Sequence, residues 1–492
     1  MFQEGPVKFA GSNARRSARA RVARVLDPFI FYGLLVVITL TAIPYGTVEP
    51  WWRSLFECAV FALGMLSAIE GLLRGSWFVK QHRLLIPLAA LVLFALIQAT
   101  VPLRTASLGF DGDAGLRPIS FAPYDTKLFA FQFLALVISA GLLLRYTTNR
   151  RRLVALVYVV VGVGVGSTLF GLLRRTFQHG PGFLLPYLQP DNGTALGGVG
   201  FAQFINHNHF AFLAEMSLGL VLCLMLRRPM RLARLIIGLA IAIPILIAIV
   251  YSGSRGGLVS MLGQASFVAL MVFIAGPFIA GRGRQLLKDD SGRERVRRVG
   301  PFLLTRIGLI ASFLVVMVVG IIWIGGDQLA SRLETIPNEF GVEESDKHIT
   351  TNRSTVWTMT WQMIKDHPVA GVGFGGYWIA ITKYHYGSGE MTPQQAHNDY
   401  LELLASGGLI ALVIGLWFIV LFLRESFSSL RASDPFLRAS RFGALAGIFA
   451  VAIHSIVDFG LHVTINTLVF VVLVVIATVR VRAIPSSGVA QV

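Results

Sequence analysis

The sequence predicts an all-α polytopic membrane protein of about twelve transmembrane helices with one large polar segment outside the bilayer. Its 492 residues are 54% hydrophobic and only 14% charged, against about 25% charged in soluble domains. Apolar runs near or above the roughly 17 residues that cross a bilayer recur along the chain. Lysine and arginine concentrate in every second connection between these runs. Together these observations exclude an ordinary soluble fold.

The predicted spans follow a basic stretch. Residues 1–27 lack apolar periodicity, which predicts a disordered cytoplasmic tail. The first run is long and has no small-x-small cleavage site after it, so it indicates an uncleaved span and not a signal peptide. The spans, of which the last is short, are 28–46, 54–73, 84–103, 128–144, 153–172, 208–226, 235–252, 256–280, 307–326, 399–423, 442–461 and 467–479. They form one transmembrane domain, residues 28–482, followed by a cytoplasmic tail, residues 483–492.

The orientation follows from the distribution of basic residues. With the N-terminus inside, the even-numbered connections and both tails contain most of the 43 lysines and arginines, as the positive-inside rule requires. Both termini are therefore expected in the cytoplasm. The net charge of +17 reflects topology, so no nucleic-acid partner is expected. Cys58 and Cys223 would lie toward opposite faces of the membrane, so no disulfide between them is expected.

The longest polar connection is residues 327–398, on the outer face. Long loops without secondary structure are uncommon unless they have a function. This segment contains Arg353 and His397. We therefore expect the chemistry of the protein on the outer face, in or beside this segment.

Two arginines are candidates for anion binding. Arg255 lies in a glycine- and serine-rich turn between the seventh and eighth spans, where an outward arginine opposes the charge bias and needs a partner. Arg353 opens a helical segment, residues 355–366, with Ser354 as the expected N-cap. A guanidinium and a helix N-terminus could hold one phosphate together. The alternatives are a snorkelling arginine in a tight turn and a surface arginine beside an amphipathic helix.

A glycine-rich stretch, residues 371–376, superficially resembles a nucleotide-binding loop. No strand precedes it, and the topology places it outside the cytoplasm, where nucleotides are scarce. We interpret it as a flexible turn that returns the chain to the membrane.

His397 precedes the tenth span and is the candidate general base. Asp399 and Glu402 have the spacing of a capping box, which would put His397 just before a helix N-terminus. The positive end of the helix dipole favours a neutral imidazole, and a neutral histidine can accept a proton near pH 7. The alternative is an interfacial histidine that makes one hydrogen bond.

The stretch from Asn206 to His209, which includes His207 and Asn208, precedes the sixth span. Its His-x-His pattern suggests a metal, but no outer cysteine or further histidine cluster completes a ligand set. Hydrogen bonding to substrate or to neighbouring loops is the preferred interpretation, and no metal site is predicted.

Glu215, His454 and Asp458 are ionisable residues within predicted spans. Glu215, in the middle of the sixth span, needs a partner or a water-filled cavity. His454 and Asp458 are four residues apart in the eleventh span, on one helix face, and could pair. The sequence leaves open whether these residues are structural, line a polar cavity or form a proton path.

Five short motifs in order resemble the O-antigen ligase and Wzy-type polymerase superfamily. No single motif is specific, and the resemblance covers roughly residues 200–465. The motifs are Asn-x-Asn-His-Phe-Ala from Asn206, Gly-Ser-Arg-Gly-Gly at 253–257, Arg-x-x-x-Trp at 353–357, His-Pro-x-x-Gly-x-Gly at 367–373 and His-Asn-Asp-Tyr-Leu-Glu-Leu-Leu-x-x-x-Gly at 397–408.

The resemblance implies a glycosyltransferase of the bacterial inner membrane with a type-C-like fold, a periplasmic active site and no metal or other cofactor. The implied donor is an undecaprenyl-diphosphate-linked glycan. By the same resemblance, Arg255 and Arg353 hold the diphosphate and His397 activates the acceptor hydroxyl. Asn398 is a further candidate for the substrate cavity.

The acceptor stays open at this stage. Ligases use lipid A-core and polymerases use a second lipid-linked repeat, for which a chain-length regulator is a possible partner; a protein hydroxyl is a third option. Residues 454–462 look more like the polymerase relatives. The competing function is a polysaccharide transporter or flippase, which the intramembrane set of Glu215, His454 and Asp458 keeps under consideration.

Overall fold

The protein is all-helical apart from two short β-ribbons in the part of the chain that the structure describes. This computed structural model describes residues 10–43, 45–75, 82–104, 116–177, 200–227, 231–279, 287–288, 294–295, 353–384, 393–430, 432 and 434–481. The helices are α1 (Ala10–Ala42), α2 (Pro50–Arg74), α3 (Leu85–Thr100), α4 (Pro123–Tyr146), α5 (Arg150–Phe177), α6 (His207–Met225), α7 (Leu232–Ser252), α8 (Arg255–Ile279), α9 (Arg353–Asp366), α10 (Tyr377–Ala380), α11 (Asp399–Ser429), α12 (Pro435–His454) and α13 (Thr464–Thr478).

Short elements connect some of these helices. Single 3₁₀ turns occur at His82–Leu84, Ile381–Lys383 and Gly460–His462. Strand β1 (Pro102–Arg104) pairs antiparallel with β2 (Leu116–Pro118), and β3 (Leu287–Lys288) pairs antiparallel with β4 (Glu294–Arg295).

The predicted polytopic membrane architecture is confirmed. Nine helical stretches in the described ranges are long and apolar enough to cross a membrane: α1 to α7, α11 and α12. Helix α8 has 25 residues and α13 has 15. Each of these falls on a predicted span, whereas the span predicted at 307–326 lies outside the described residues, as do residues 327–352 and 385–392 of the polar segment.

The predicted boundaries that differ from the structure include those of α1 and α12. Helix α1 begins at Ala10, so the part of the predicted N-terminal tail from residue 10 onwards is helical and not disordered. Helix α12 ends at His454, although the apolar run continues to residue 461. A hydropathy profile does not reveal the C-terminal end of α12, because the residues that follow His454 are still largely apolar.

Helix α6 forms the centre of the bundle. Its most apolar stretch is 94% buried inside the protein, against 28% for the corresponding stretch of α2. Glycines bring α12 against it: a Cβ on Gly219 would lie 2.7 Å from the backbone nitrogen of Gly447, and one on Gly443 would lie 2.7 Å from Cα of Leu220. Such small residues let membrane helices approach closely and gain van der Waals contact.

One end of the bundle is rich in arginine and held by ion pairs. Arg74 and Arg145 contact the fully buried carboxylate of Glu70 at 2.5 and 2.6 Å. Arg150 contacts Asp434 at 2.9 Å. These pairs join the ends of α2, α4, α5 and α12. We call this the basic end; the candidate site residues lie at the opposite end of the same helices.

A second, smaller core forms at that opposite end, beside the start of α11. It contains Met359 and Met363 of α9, while Trp361 of the same helix is 49% exposed. The predicted turn at 371–376 packs against this core. Gly371 and Gly373 have φ values of +66° and +95°, which glycine adopts at little cost.

Candidate active site

The site is organised by the segment between α12 and α13, residues 455–463. The first turns of α6, α8, α9 and α11 all approach this segment or the end of α12 before it. Each of those helices presents its N-terminus, which is the end favourable to anions. The segment therefore gathers residues that are far apart in the sequence.

Asp458 lies at the centre of the site. Its side chain is 1% exposed; Oδ2 is 3.7 Å from Nη2 of Arg353 and Oδ1 is 3.6 Å from Nδ1 of His397. Burial by itself would raise the pKa of this carboxyl. The imidazoles of His397, His209 and His454 outweigh burial and hold the pKa of Asp458 well below its usual range. The carboxylate is therefore ionised whenever the site works near neutral pH.

The pairing of His454 with Asp458, which the sequence left open, is not formed. Helix α12 ends at His454, so Asp458 lies beyond it and turns toward Arg353 and His397. His454 instead places Nδ1 3.0 Å from Oε1 of Glu215, and both side chains are fully buried. This contact supplies the partner that Glu215 was expected to need.

His397 is the residue before the N-cap of α11, and its backbone φ is +50°. Left-handed backbone is uncommon for residues other than glycine and persists where the surroundings hold it. The side chain of His397 is 37% exposed. Its ring lies edge-on to the ring of Phe459, with centroids 4.8 Å apart. The imidazole is thus held between a buried carboxylate and an aromatic ring while staying open to solvent.

The N-cap of α11 is Asn398 and not Asp399. The Asn398 side chain accepts hydrogen bonds from the backbone N–H of Tyr400 and Leu401, both at 3.0 Å. Glu402 reaches back to accept from the backbone N–H of Ala396 at 2.9 Å. The predicted capping box of Asp399 and Glu402 is therefore not formed: the cap starts one residue earlier, and Glu402 accepts from a residue that lies before the N-cap. Asn398 therefore fixes the helix start beside His397.

Arg255 and Arg353 are the first residues of α8 and α9. The second helix begins two residues before the predicted start, so Ser354 lies inside it and is not the N-cap. At α8, the hydroxyl of Ser254 accepts a hydrogen bond from the backbone N–H of Gly257 at 3.0 Å. Both arginines thus stand at helix N-termini that face the end of α12 and the segment 455–463.

Gly256 fixes how closely the Arg255 turn approaches α12. A Cβ at this position would lie 2.6 Å from Cδ2 and Nε2 of His454 and 2.9 Å from Cγ2 of Val457. The ring of His454 has little room to move, because Phe212 stacks on it with centroids 4.0 Å apart. Only glycine lets the α8 N-terminus lie against this ring.

Replacing Gly256 with alanine should therefore push the Arg255 turn away from His454. We expect the transfer activity proposed below to fall by about 100-fold, the effect of a displacement of roughly 1 Å in an active site. Gly166→Ala in α5 is the matched control, since nothing lies within 4 Å of a Cβ there. Product formation per molecule of purified protein, together with thermal unfolding in detergent, measures both variants. Equal activity of the two would contradict the close packing at Gly256.

The Asn206–His209 stretch starts α6 at the same site. Asn206 is the N-cap and accepts a hydrogen bond from the backbone N–H of Asn208 at 2.9 Å. His209 is buried and lies edge-on to Phe459, with centroids 4.9 Å apart. His207 is the first residue of α6. Among the described residues, no group of three or more His, Cys, Asp or Glu side chains is arranged to hold a metal ion.

Sequence reasoning missed one part of the site. His462, in the 3₁₀ turn before α13, lies 3.5 Å from Asp399 and 3.2 Å from Glu402. Its presence in the motif from His454 to His462 was the available signal, but the spacing does not show which helix it faces.

The family model described as O-antigen ligase matches residues 240–416. The matched range includes Arg255, Arg353 and His397 and ends before Asp458. This match confirms the resemblance to the O-antigen ligase and Wzy-type superfamily. A search of curated proteins gives no match to the chain.

Proposed function

We propose that this protein is a metal-independent glycosyltransferase that transfers a glycan from an undecaprenyl-diphosphate carrier to an acceptor hydroxyl. The observation that carries the proposal is the grouping of His397, Asp458 and Arg353, with the Arg255 turn against the same segment of chain. A base beside a carboxylate and two helix-terminal arginines suit proton abstraction next to a departing diphosphate. The family match supports ligase- or polymerase-type chemistry in general.

His397 acts as the general base in this proposal. With Nδ1 toward Asp458, that nitrogen carries the proton and Nε2 is left to accept the hydrogen of the acceptor hydroxyl. The carboxylate also stabilises the imidazolium that forms, as the aspartate of a catalytic triad does. The present Nδ1–Oδ1 distance of 3.6 Å is longer than a hydrogen bond, and such contacts commonly tighten when substrate binds.

The arginines act on the leaving group. As the acceptor oxygen bonds to the anomeric carbon, the bond from that carbon to the diphosphate oxygen breaks, and the lipid diphosphate leaves with the electron pair. Arg255 and Arg353 stay charged at every relevant pH and donate in a fork that matches phosphate oxygens. Donors aimed at the developing charge stabilise the transition state more than the ground state.

The direct test uses the purified full-length chain with lipid-diphosphate glycan as donor and a glycan or lipid A-core acceptor. A new glycosidic bond and free lipid diphosphate are the expected products. Donor that crosses a vesicle bilayer without a new glycosidic bond would instead support a transporter. The structure gives the transporter less support, since Glu215 and His454 pair with each other and Asp458 lies outside the span.

The proposal includes the topology: twelve spans of a type-C-like fold, both termini in the cytoplasm and the site in the periplasm. Helix α8 starts at the site and runs away from it across the membrane, whereas Arg353, later in the chain, is again at the site. The chain must therefore cross back between α8 and Arg353, which supports 307–326 as the ninth span. We expect a reporter inserted within 327–352 to respond from the periplasm and one within 281–300 from the cytoplasm. Both reporters on one side of the membrane would refute this topology.

The acceptor is proposed as lipid A-core, a second lipid-linked repeat or a protein hydroxyl. Competition among the three acceptors in the same assay separates ligase, polymerase and protein glycosyltransferase. Dependence of product length on an added chain-length regulator would favour the polymerase.

A further inference from the structure

His462 lies between two carboxylates at the start of α11. Its Nδ1 faces Oδ1 of Asp399 at 3.5 Å, and its Nε2 faces Oε1 of Glu402 at 3.2 Å. Ionised carboxylates only accept hydrogen bonds, so a neutral imidazole would turn one lone pair toward an acceptor. Protonation makes both ring nitrogens donors. The geometry therefore fits an imidazolium that bridges the two carboxylates.

The other oxygens of these carboxylates hold the backbone on both sides of His397. Oε2 of Glu402 accepts from the backbone N–H of Ala396 at 2.9 Å. Oδ2 of Asp399 accepts from the hydroxyl of Ser455 at 2.7 Å, and the backbone N–H of Asp399 donates to the carbonyl of Ser455 at 3.0 Å. His397, with its left-handed φ of +50°, stands between these two attachments.

His462 also belongs to the stretch of chain that carries Asp458. Phe459 packs its ring against both His397 and His462, with centroids 4.8 and 6.0 Å apart. A bridge from His462 to Asp399 and Glu402 thus ties the carboxylate partner of the base to the helix start that carries the base.

We propose that His462 is a cationic positioning residue that holds His397 against Asp458. This inference rests on the proposed function, because it assigns His462 a role in the reaction carried by His397. His462 touches no reacting atom in it. The positive charge of His462 maintains this arrangement, and loss of the charge loosens the contact between His397 and Asp458.

The charge of His462 responds to pH in a definite direction. Burial works to lower the pKa of the imidazole, but Glu402 and Asp399 outweigh burial and raise the pKa to about 9. On neighbouring elements, His209 of α6 and His397 before α11 oppose a positive charge, and Asp458 on the same segment favours it. Because the pKa is raised, the bridge is present below about pH 9 and is lost as the pH rises through that value.

The test is the pH profile of turnover for the purified full-length enzyme from about pH 6.5 to about pH 10.5. This range covers the raised pKa of His462. We expect wild-type turnover to decline above about pH 9 and to recover when the enzyme is returned to neutral pH. Glu402→Gln and Asp399→Asn each remove a charge that supports the imidazolium. They should move the decline to lower pH by about one unit or more.

His462→Gln keeps a hydrogen-bonding side chain without the charge. We expect its turnover to fall by about 100-fold and its pH profile to lose the alkaline decline. The control is His82→Gln, at an exposed histidine in the 3₁₀ turn before α3, which should behave as wild type. Wild-type turnover in His462→Gln would overturn the inference. So would an alkaline decline that stays in place in both carboxylate variants, or a wild-type profile that is flat to the highest pH.

His397→Ala separates this inference from the proposed function. If His397→Ala keeps its activity, the proposed function itself fails. If His397→Ala is inactive but His462→Gln is fully active, only the role of His462 is refuted.

Discussion

Replacing His397 with alanine is expected to abolish glycan transfer while the protein still inserts and accumulates normally. Loss of a general base commonly reduces turnover by about 10²–10⁴-fold. The side chain is 37% exposed and its ring contact is with Phe459, so we expect its removal to leave the membrane fold in place. Product formation by purified protein, corrected for the amount of folded protein, is the measurement.

Asp458→Asn is the companion variant. It keeps the shape of the side chain but removes the charge that orients and stabilises the imidazole. If the two residues act as one unit, the double variant should be scarcely worse than His397→Ala alone. Wild-type product from His397→Ala in a strain without the native gene would show that the histidine is structural.

The two arginines carry the second large expected effect. Lysine keeps the charge but not the bidentate fork, so Arg255→Lys and Arg353→Lys should each impair transfer severely. Because both would act on one diphosphate, the double variant should lose far less than the sum of the two single effects in free energy. Rates with purified enzyme and lipid-diphosphate donor test this.

Arg150→Lys is the matched control for the arginine variants, since Arg150 pairs with Asp434 at the basic end. It should leave transfer unchanged. Wild-type activity is also expected to survive a chelator, because arginines can neutralise the diphosphate without a cation. Full activity in both lysine variants, or loss of product on chelation, would refute the arginine clamp.

The spans could be predicted because apolar length is recorded locally in the sequence. What the sequence did not reveal is where a helix stops inside an apolar run. Ile456, Val457, Phe459 and Leu461 keep the hydropathy high after α12 has ended at His454. Because of this hidden end, the sequence suggests one helix face for His454 and Asp458, although only His454 belongs to the helix.

The site was predictable as a set of residues but not as a set of contacts. Arg353 and His397 stood out because they lie in a polar segment, yet their shared neighbour Asp458 was placed in a span. Capping chemistry was recognised at the start of α11, but Asn398 and Asp399 are both good caps, and only the backbone shows that Asn398 is used. Whether these residues carry the chemistry stays a prediction.

The pairing of Glu215 with His454 has a consequence for biosynthesis. The two residues are 239 positions apart, so α6 is made and inserted well before its imidazole partner exists. On insertion scales, an unpaired acidic residue at the centre of a span costs about 3 kcal/mol. A fragment that stops before His454 keeps this cost and also lacks Asp458. Chains that stop before His454 are therefore unsuitable substitutes in an assay, because the buried Glu215 of α6 takes its partner from α12.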